Sequence, residues 1–253
     1  MRKIALAVVT LVALTSVGGA LANHSWGSYH WARTANPLAL NLGDNVNSGW
    51  DSYLNEAISD WDASSVLALT GVSGGTTGST CAPTSGRIEV CNASYGNTGW
   101  LGVAQIWVRR GHITQATTKV NDTYFNTPQY NTAAWRRLVM CQEVGHDFGL
   151  DHQDEDFNNA NLGTCMDYTD DPDGPLSNEH PNAHDYEQLE SIYAHLDGGG
   201  GGKPCNPHSP NCQTSVGNAP PFSQASRANG DIYVDDLPGG GHRVTHVFWA
   251  PLG

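Results

Sequence analysis

The chain has 253 residues, of which 39% are hydrophobic and 15% charged, with six cysteines and a formal net charge of −13. That length allows one sizeable core and an appendage. The acidic balance argues against nucleic acid and anionic membranes as partners, and past the N-terminus no segment approaches the ~20 apolar residues that a span needs.

Residues 1–22 read as an export signal, with Arg2 and Lys3 ahead of an apolar stretch over 4–17 and Ala20-Leu21-Ala22 as a small-x-small cleavage site. Its removal takes two of the 12 basic residues and none of the 25 acidic ones, so the net charge moves from −13 to −15. The mature chain is expected to be secreted and monomeric. In that compartment six cysteines favour three disulfides, whose pairing sequence alone leaves open. Proximity suggests Cys81–Cys91 and Cys205–Cys212, which leaves Cys141 with Cys165; a reduced, buried pair is the alternative there.

Residues 37–42 alternate as a strand does. Trp50, Tyr53, Leu54, Ala57, Ile58 and Trp61 fall on one face of a helix. Strands are expected over 66–69, 88–91, 100–108 and within 113–124, with a Gly/Ser/Thr-rich loop over 74–79. A helix resumes near Thr132 and runs through Val144. Tyr186, Leu189, Ile192 and Tyr193 mark another over 182–195. Residues 198–203 are a Gly-rich linker. The tail, 204–253, combines a cysteine loop with a hairpin, whose strands over 232–237 and 243–249 flank Pro238-Gly239-Gly240-Gly241. The fold class is α+β.

The chemistry concentrates in Cys141-Gln142-Glu143-Val144-Gly145-His146-Asp147-Phe148-Gly149-Leu150-Asp151-His152. Residues four apart share a helix face, so Gln142 and His146 can address one ion, with Glu143 beside them. A glycine at 149 lets the chain leave the helix and turn His152 back to the same ion. Three protein ligands with an open fourth position describe a catalytic zinc site. Cys141 lies about 140° round the helix from His146 and points elsewhere.

This segment resembles the metzincin zinc-binding motif H-E-x-x-H-x-x-G-x-x-H, matching at Glu143, His146, Gly149 and His152 and departing at Gln142. Cys165-Met166-Asp167-Tyr168 is similar to the methionine turn of that family, in the astacin and serralysin order. Residues 99–104 are similar to the edge strand on which matrixins align substrate. The resemblance covers roughly residues 31–196 and places the catalytic domain at 23–197. It implies a twisted, mostly parallel sheet of about five strands with an active-site helix, an irregular lower part carrying the methionine turn, and a C-terminal helix.

It also implies one catalytic zinc held by His146, His152 and the Gln142 carbonyl oxygen. Glu143 would act as general base on the water that the metal polarises, and Tyr168 as donor to the oxyanion. Met166 would be an apolar floor, with Gly102, Val103 and Ala104 aligning an extended peptide or protein substrate. The expected activity is that of a zinc metalloendopeptidase. The alternatives are an inactive metzincin-like binding protein and a zinc hydrolase of a non-protein substrate. No inhibitory propeptide is expected, leaving the enzyme active on export or restrained by a separate inhibitor. A Cys141–Cys165 bond would staple the zinc helix to the methionine turn.

The remaining histidines, His24, His30, His112, His180, His195, His208, His242 and His246, show no ligand spacing and are expected to be exposed or hydrogen-bonded. His184 is expected to cap or pack. Asp154-Glu155-Asp156 with Asn158, and Asp170, Asp171 and Asp173, could hold calcium, although solvated turns fit them better. Asn92-Ala93-Ser94 and Asn121-Asp122-Thr123 match the glycosylation sequon.

Overall fold

The computed structural model describes residues 24–198 and 219–251. The export signal, nearly all of the Gly-rich linker and the Cys205–Cys212 pair lie outside them. Among the described residues the strands are β1 (His30–Trp31), β2 (Leu38–Asn45), β3 (Leu67–Ser73), β4 (Ile88–Ala93), β5 (Trp100–Arg109), β6 (His112–Asn121), β7 (Ile232–Asp236) and β8 (His242–Trp249). The helices are α1 (Asp51–Asp62), α2 (Asp122–Phe125), α3 (Ala133–His146) and α4 (Ala183–Ile192). The α+β class holds.

The sheet runs β3-β2-β4-β6-β5-β8-β7, with β1 paired to β6. Strands β2, β3, β4 and β6 are mutually parallel where they pair, whereas β5 is antiparallel to both β6 and β8. The sheet is therefore mixed and eight-stranded rather than five-stranded. The added strands come from both ends of the described chain. β1 is only two residues long, too short to show alternation in the sequence. β7 and β8 form the expected hairpin, which extends the main sheet. The physical reason is burial: Val244, Val247 and Phe248 of β8 are enclosed beside Leu101, Val103 and Ala104 of β5. An uncovered β5 would leave an apolar edge open to other chains.

The core lies between the sheet and helices α1 and α3. α1 buries Leu54, Ala57 and Trp61, and the Trp61 indole N–H donates to the Cys141 carbonyl at 3.0 Å, tying α1 to α3. From α3 to α4, residues 147–182 form neither helix nor ladder strand, in line with an irregular lower part. Two disulfides close within the described residues, Cys81–Cys91 and Cys141–Cys165, both as expected. Disulfides fit an extracellular protein. No helix among the described residues is long and apolar enough to cross a membrane.

Glu89 of β4 is buried and accepts hydrogen bonds from Asn45 Nδ2 at 2.7 Å, the Gly75 N–H at 3.2 Å, Arg87 Nε at 2.7 Å and the Thr84 hydroxyl. Burial alone would raise its pKa; these donors overcome that and hold it below the ordinary 4.5. A carboxylate depressed in the folded state stabilises fully above its unfolded pKa, and the contribution is lost as pH falls through the folded value. Glu89→Gln should therefore lower Tm near neutrality and flatten the loss of Tm below about pH 4.5. Parallel acid limbs for variant and wild type in thermal scans would exclude this role.

Candidate metal centre

α3 opens on Thr132, whose hydroxyl accepts from the Trp135 N–H at 3.2 Å, and is buried continuously from Leu138 to its end. That burial takes in Gln142, Glu143 and His146, all fully enclosed. Enclosing such groups costs free energy unless they are paired or hold an ion. Beyond His146 the chain leaves the helix at Gly149, which has φ +96°, and a Cβ there would stand 2.2 Å from the Tyr29 carbonyl oxygen. Only glycine fits both demands. The bend is braced by the N-terminal segment, where the Trp26 N–H donates to the Gly149 carbonyl at 2.9 Å and the Trp26 ring stacks on His146 at 5.0 Å.

The bend brings His152 to His146, with their Nε2 atoms 3.1 Å apart. His146 Nδ1 lies 2.9 Å from the Leu150 carbonyl oxygen, which can only accept, so Nδ1 carries the proton. His152 Nδ1 faces the Glu155 carboxylate at 3.4 Å. Burial, with the nearby His246 and His152 charges, presses the His146 pKa well below 6.5, so its ring is neutral. The His146 Nε2 lone pair then points at His152 Nε2, close enough for the two nitrogens to share a cation. Two nitrogens about 2.0–2.1 Å from one tetrahedral ion would be about 3.3 Å apart, close to the spacing found.

Gln142 donates from Nε2 to the Cys165 carbonyl at 2.8 Å, while its Oε1 is buried with no hydrogen-bond partner. That orphan oxygen fits a metal ligand. The same bond and the Cys141–Cys165 disulfide attach the turn that carries Met166 to α3. Met166 is fully buried, and its N–H donates to Thr164 Oγ1 at 3.0 Å. The Thr164 hydroxyl in turn donates to Asp185, which completes a capping box with Asn182 at the start of α4. His184 sits in that first turn with its ring 4.8 Å from His24, in keeping with packing.

Both Glu143 oxygens are buried without hydrogen-bond partners, and burial raises its pKa against the opposing effect of His246. β5 approaches Glu143 closely: a Cβ on Gly102 would lie 2.5 Å from Glu143 Oε1. Gly102 therefore sits against Glu143, and the expected substrate strand Gly102, Val103 and Ala104 runs past it. They do not form a free edge, because they pair with Phe248, Val247 and His246 of β8.

His246 is the main correction to the sequence reading. It is fully buried, and its ligand nitrogen clusters with those of His146 and His152, all within 4.8 Å of one another. Its Nδ1 is 3.6 Å from Glu143 Oε2, and its Nε2 is 3.7 Å from Asp231 Oδ2 and 3.1 Å from Tyr168 Oη. Tyr168 Oη donates to Asp231 Oδ2 at 2.6 Å. Burial would lower the His246 pKa, but Asp231 and Glu143 outweigh it and raise it to about 10. Asp231 shows the converse: despite its burial, His246, His152 and Tyr168 hold its carboxyl well below the usual range.

Neither His246 nor Asp231 has any spacing relative to the 142–152 segment; sheet register brings His246 opposite Ala104. The available signal was a histidine inside the apolar run Val244 to Trp249. His30, His112 and His195 also converge, around Asp197, away from any motif. The acidic residues 154–158 act as turn acceptors, with the Asp156 N–H on Asp154 Oδ1 at 2.7 Å and the Asn158 N–H on Asp156 Oδ1 at 2.9 Å. No family model matches this chain, and no curated protein matches it.

Proposed function

We propose that this chain is an exported zinc-dependent endopeptidase of metzincin type. The carrying observation is the facing pair of Nε2 atoms of His146 and His152, 3.1 Å apart, with the buried carboxylate Glu143 on the same helix and His246 at 3.6 Å from it. His146, His152 and the orphaned Gln142 Oε1 would hold the metal. Support for the metzincin likeness comes from strands β2 to β6, with β5 alone reversed, and from the methionine turn bonded to the active-site helix.

When bound, zinc polarises the peptide carbonyl and lowers the pKa of water towards ~7. Glu143 accepts the proton of the attacking water and delivers it to the leaving amine, a cycle suited to a carboxyl whose pKa is raised by burial. Tyr168 Oη donates to the developing oxyanion once released from Asp231. Met166 closes the floor.

An extended peptide is favoured over a small molecule because a polypeptide strand, the chain's own β8, already lies antiparallel along Gly102, Val103 and Ala104. That same filled edge is what favours the second reading, a non-catalytic binding protein on this scaffold. The zinc-loaded chain should be assayed on casein, intact and after a cut placed within 213–218 to release the hairpin. Internal cleavage supports the peptidase. Full zinc occupancy with no cleavage in either form would leave the binding protein.

A further inference from the structure

β8 occupies the position along β5 where a substrate strand would lie, in the antiparallel sense, over Gly102, Val103 and Ala104. At that register it carries His246 into the cluster with His146 and His152. From the turn before β7, Asp231 takes the Tyr168 hydroxyl, and His246 also stands 3.6 Å from Glu143. Every group assigned a catalytic part is thus engaged by the hairpin. A catalytic zinc site keeps one position open, whereas four protein ligands make a closed one. Gln142, His146 and His152 already supply three.

Resting on the peptidase reading, we propose that the C-terminal hairpin is an intramolecular inhibitor: β8 takes the substrate edge and His246 fills the open position of the metal. Because the strand is tethered, it competes with substrate at an effective concentration on the order of mM, so a free peptide displaces it poorly. Restraint comes from the chain's own C-terminal side, where the sequence suggested no inhibitory segment. Release by a cut within 213–218 would free the edge and the metal together.

The test uses the full zinc-loaded chain, its His246→Ala variant, and a chain carrying a specific protease site within 213–218, outside the expected Cys205–Cys212 loop. Acetohydroxamate, a small zinc chelator, probes the open position calorimetrically. His246→Ala should keep its zinc and bind acetohydroxamate at least about ten-fold more tightly than wild type. Cutting the folded wild-type chain should raise casein hydrolysis by at least about ten-fold, with no question of a variant misfolding. Zinc lost from His246→Ala would make His246 a standing ligand and overturn the inhibitor. So would equal acetohydroxamate affinities at equal zinc content, or no gain on cutting. A wild-type chain that takes up no zinc would remove the metal reading itself, which is a separate failure.

A different cluster carries a second proposal independently. The Nε2 atoms of His30, His112 and His195 lie 3.4, 3.1 and 3.5 Å from one oxygen of Asp197. His30 is oriented by its Nδ1, which bonds the Ser28 carbonyl at 2.7 Å, and the other Asp197 oxygen accepts the Arg33 N–H at 2.8 Å. Partners of this kind on the outer atoms are what fix metal ligands in place. We infer that His30, His195 and Asp197, with His112 beside them, form a second divalent-cation site that clamps β1 and β6 to the end of α4. Imidazole with carboxylate suits zinc.

His195 is the variant of choice, because its side chain is 57% exposed and its loss should not disturb folding. His195→Ala should bind one zinc fewer, or bind it at least about ten-fold more weakly, and gain less Tm from added zinc. Identical zinc counts, affinities and Tm gains in variant and wild type would dismiss this site.

Discussion

Glu143→Gln, in the zinc-loaded protein with its hairpin released, should lower kcat on casein by about 10²–10⁴-fold, the range of general acid–base catalysis. Glutamine keeps the shape beside Gly102, where β5 approaches within contact distance of the side chain. It cannot accept or return a proton. Zinc content and KM should be unchanged, since Glu143 is assigned no part in holding the metal or aligning the peptide. This combination separates a chemical role from a structural one. Hydrolysis surviving in the variant at full zinc occupancy would assign proton transfer to another group.

Replacing Cys141 and Cys165 together by alanine should cost about 3 kcal/mol of stability, as expected for cross-linking a loop of this length. The bond spans 24 residues, and the loop it closes contains the bend at Gly149, His152 and the approach to the methionine turn. Without it, the bond from Gln142 Nε2 to the Cys165 carbonyl is the remaining direct tie between Gln142 and that turn. Zinc affinity should therefore fall along with stability. Urea unfolding with and without zinc reads both effects. A loss below about 1 kcal/mol with unchanged zinc affinity would mean that burial of Met166 and the Asp185 network hold the turn unaided.

The parts of the fold governed by local rules were legible. The start of α3 near Thr132, the four-residue spacing within it, the glycine needed at 149 and the Cys81–Cys91 disulfide follow from short-range chemistry, whereas Cys141–Cys165 was reached by elimination. The hairpin was legible from its glycine turn, but its destination was not. Pairing of β8 with β5 is a long-range choice, made by burying Val244, Val247 and Phe248. Hence the sheet grew from five strands to eight, and the expected substrate edge proved to be covered. His246 and Asp231 were missed for the same reason. A ligand delivered by strand register leaves no spacing to read; it leaves only a buried polar residue in an apolar strand.

Zinc titration of the metal-free chain against its His146→Ala and His152→Ala variants tests the central claim most directly. Each variant should hold one zinc fewer than wild type, because the facing imidazoles at 3.1 Å are taken to share one ion. Wild-type zinc counts and affinities in both variants would contradict the metal centre and the enzyme built on it.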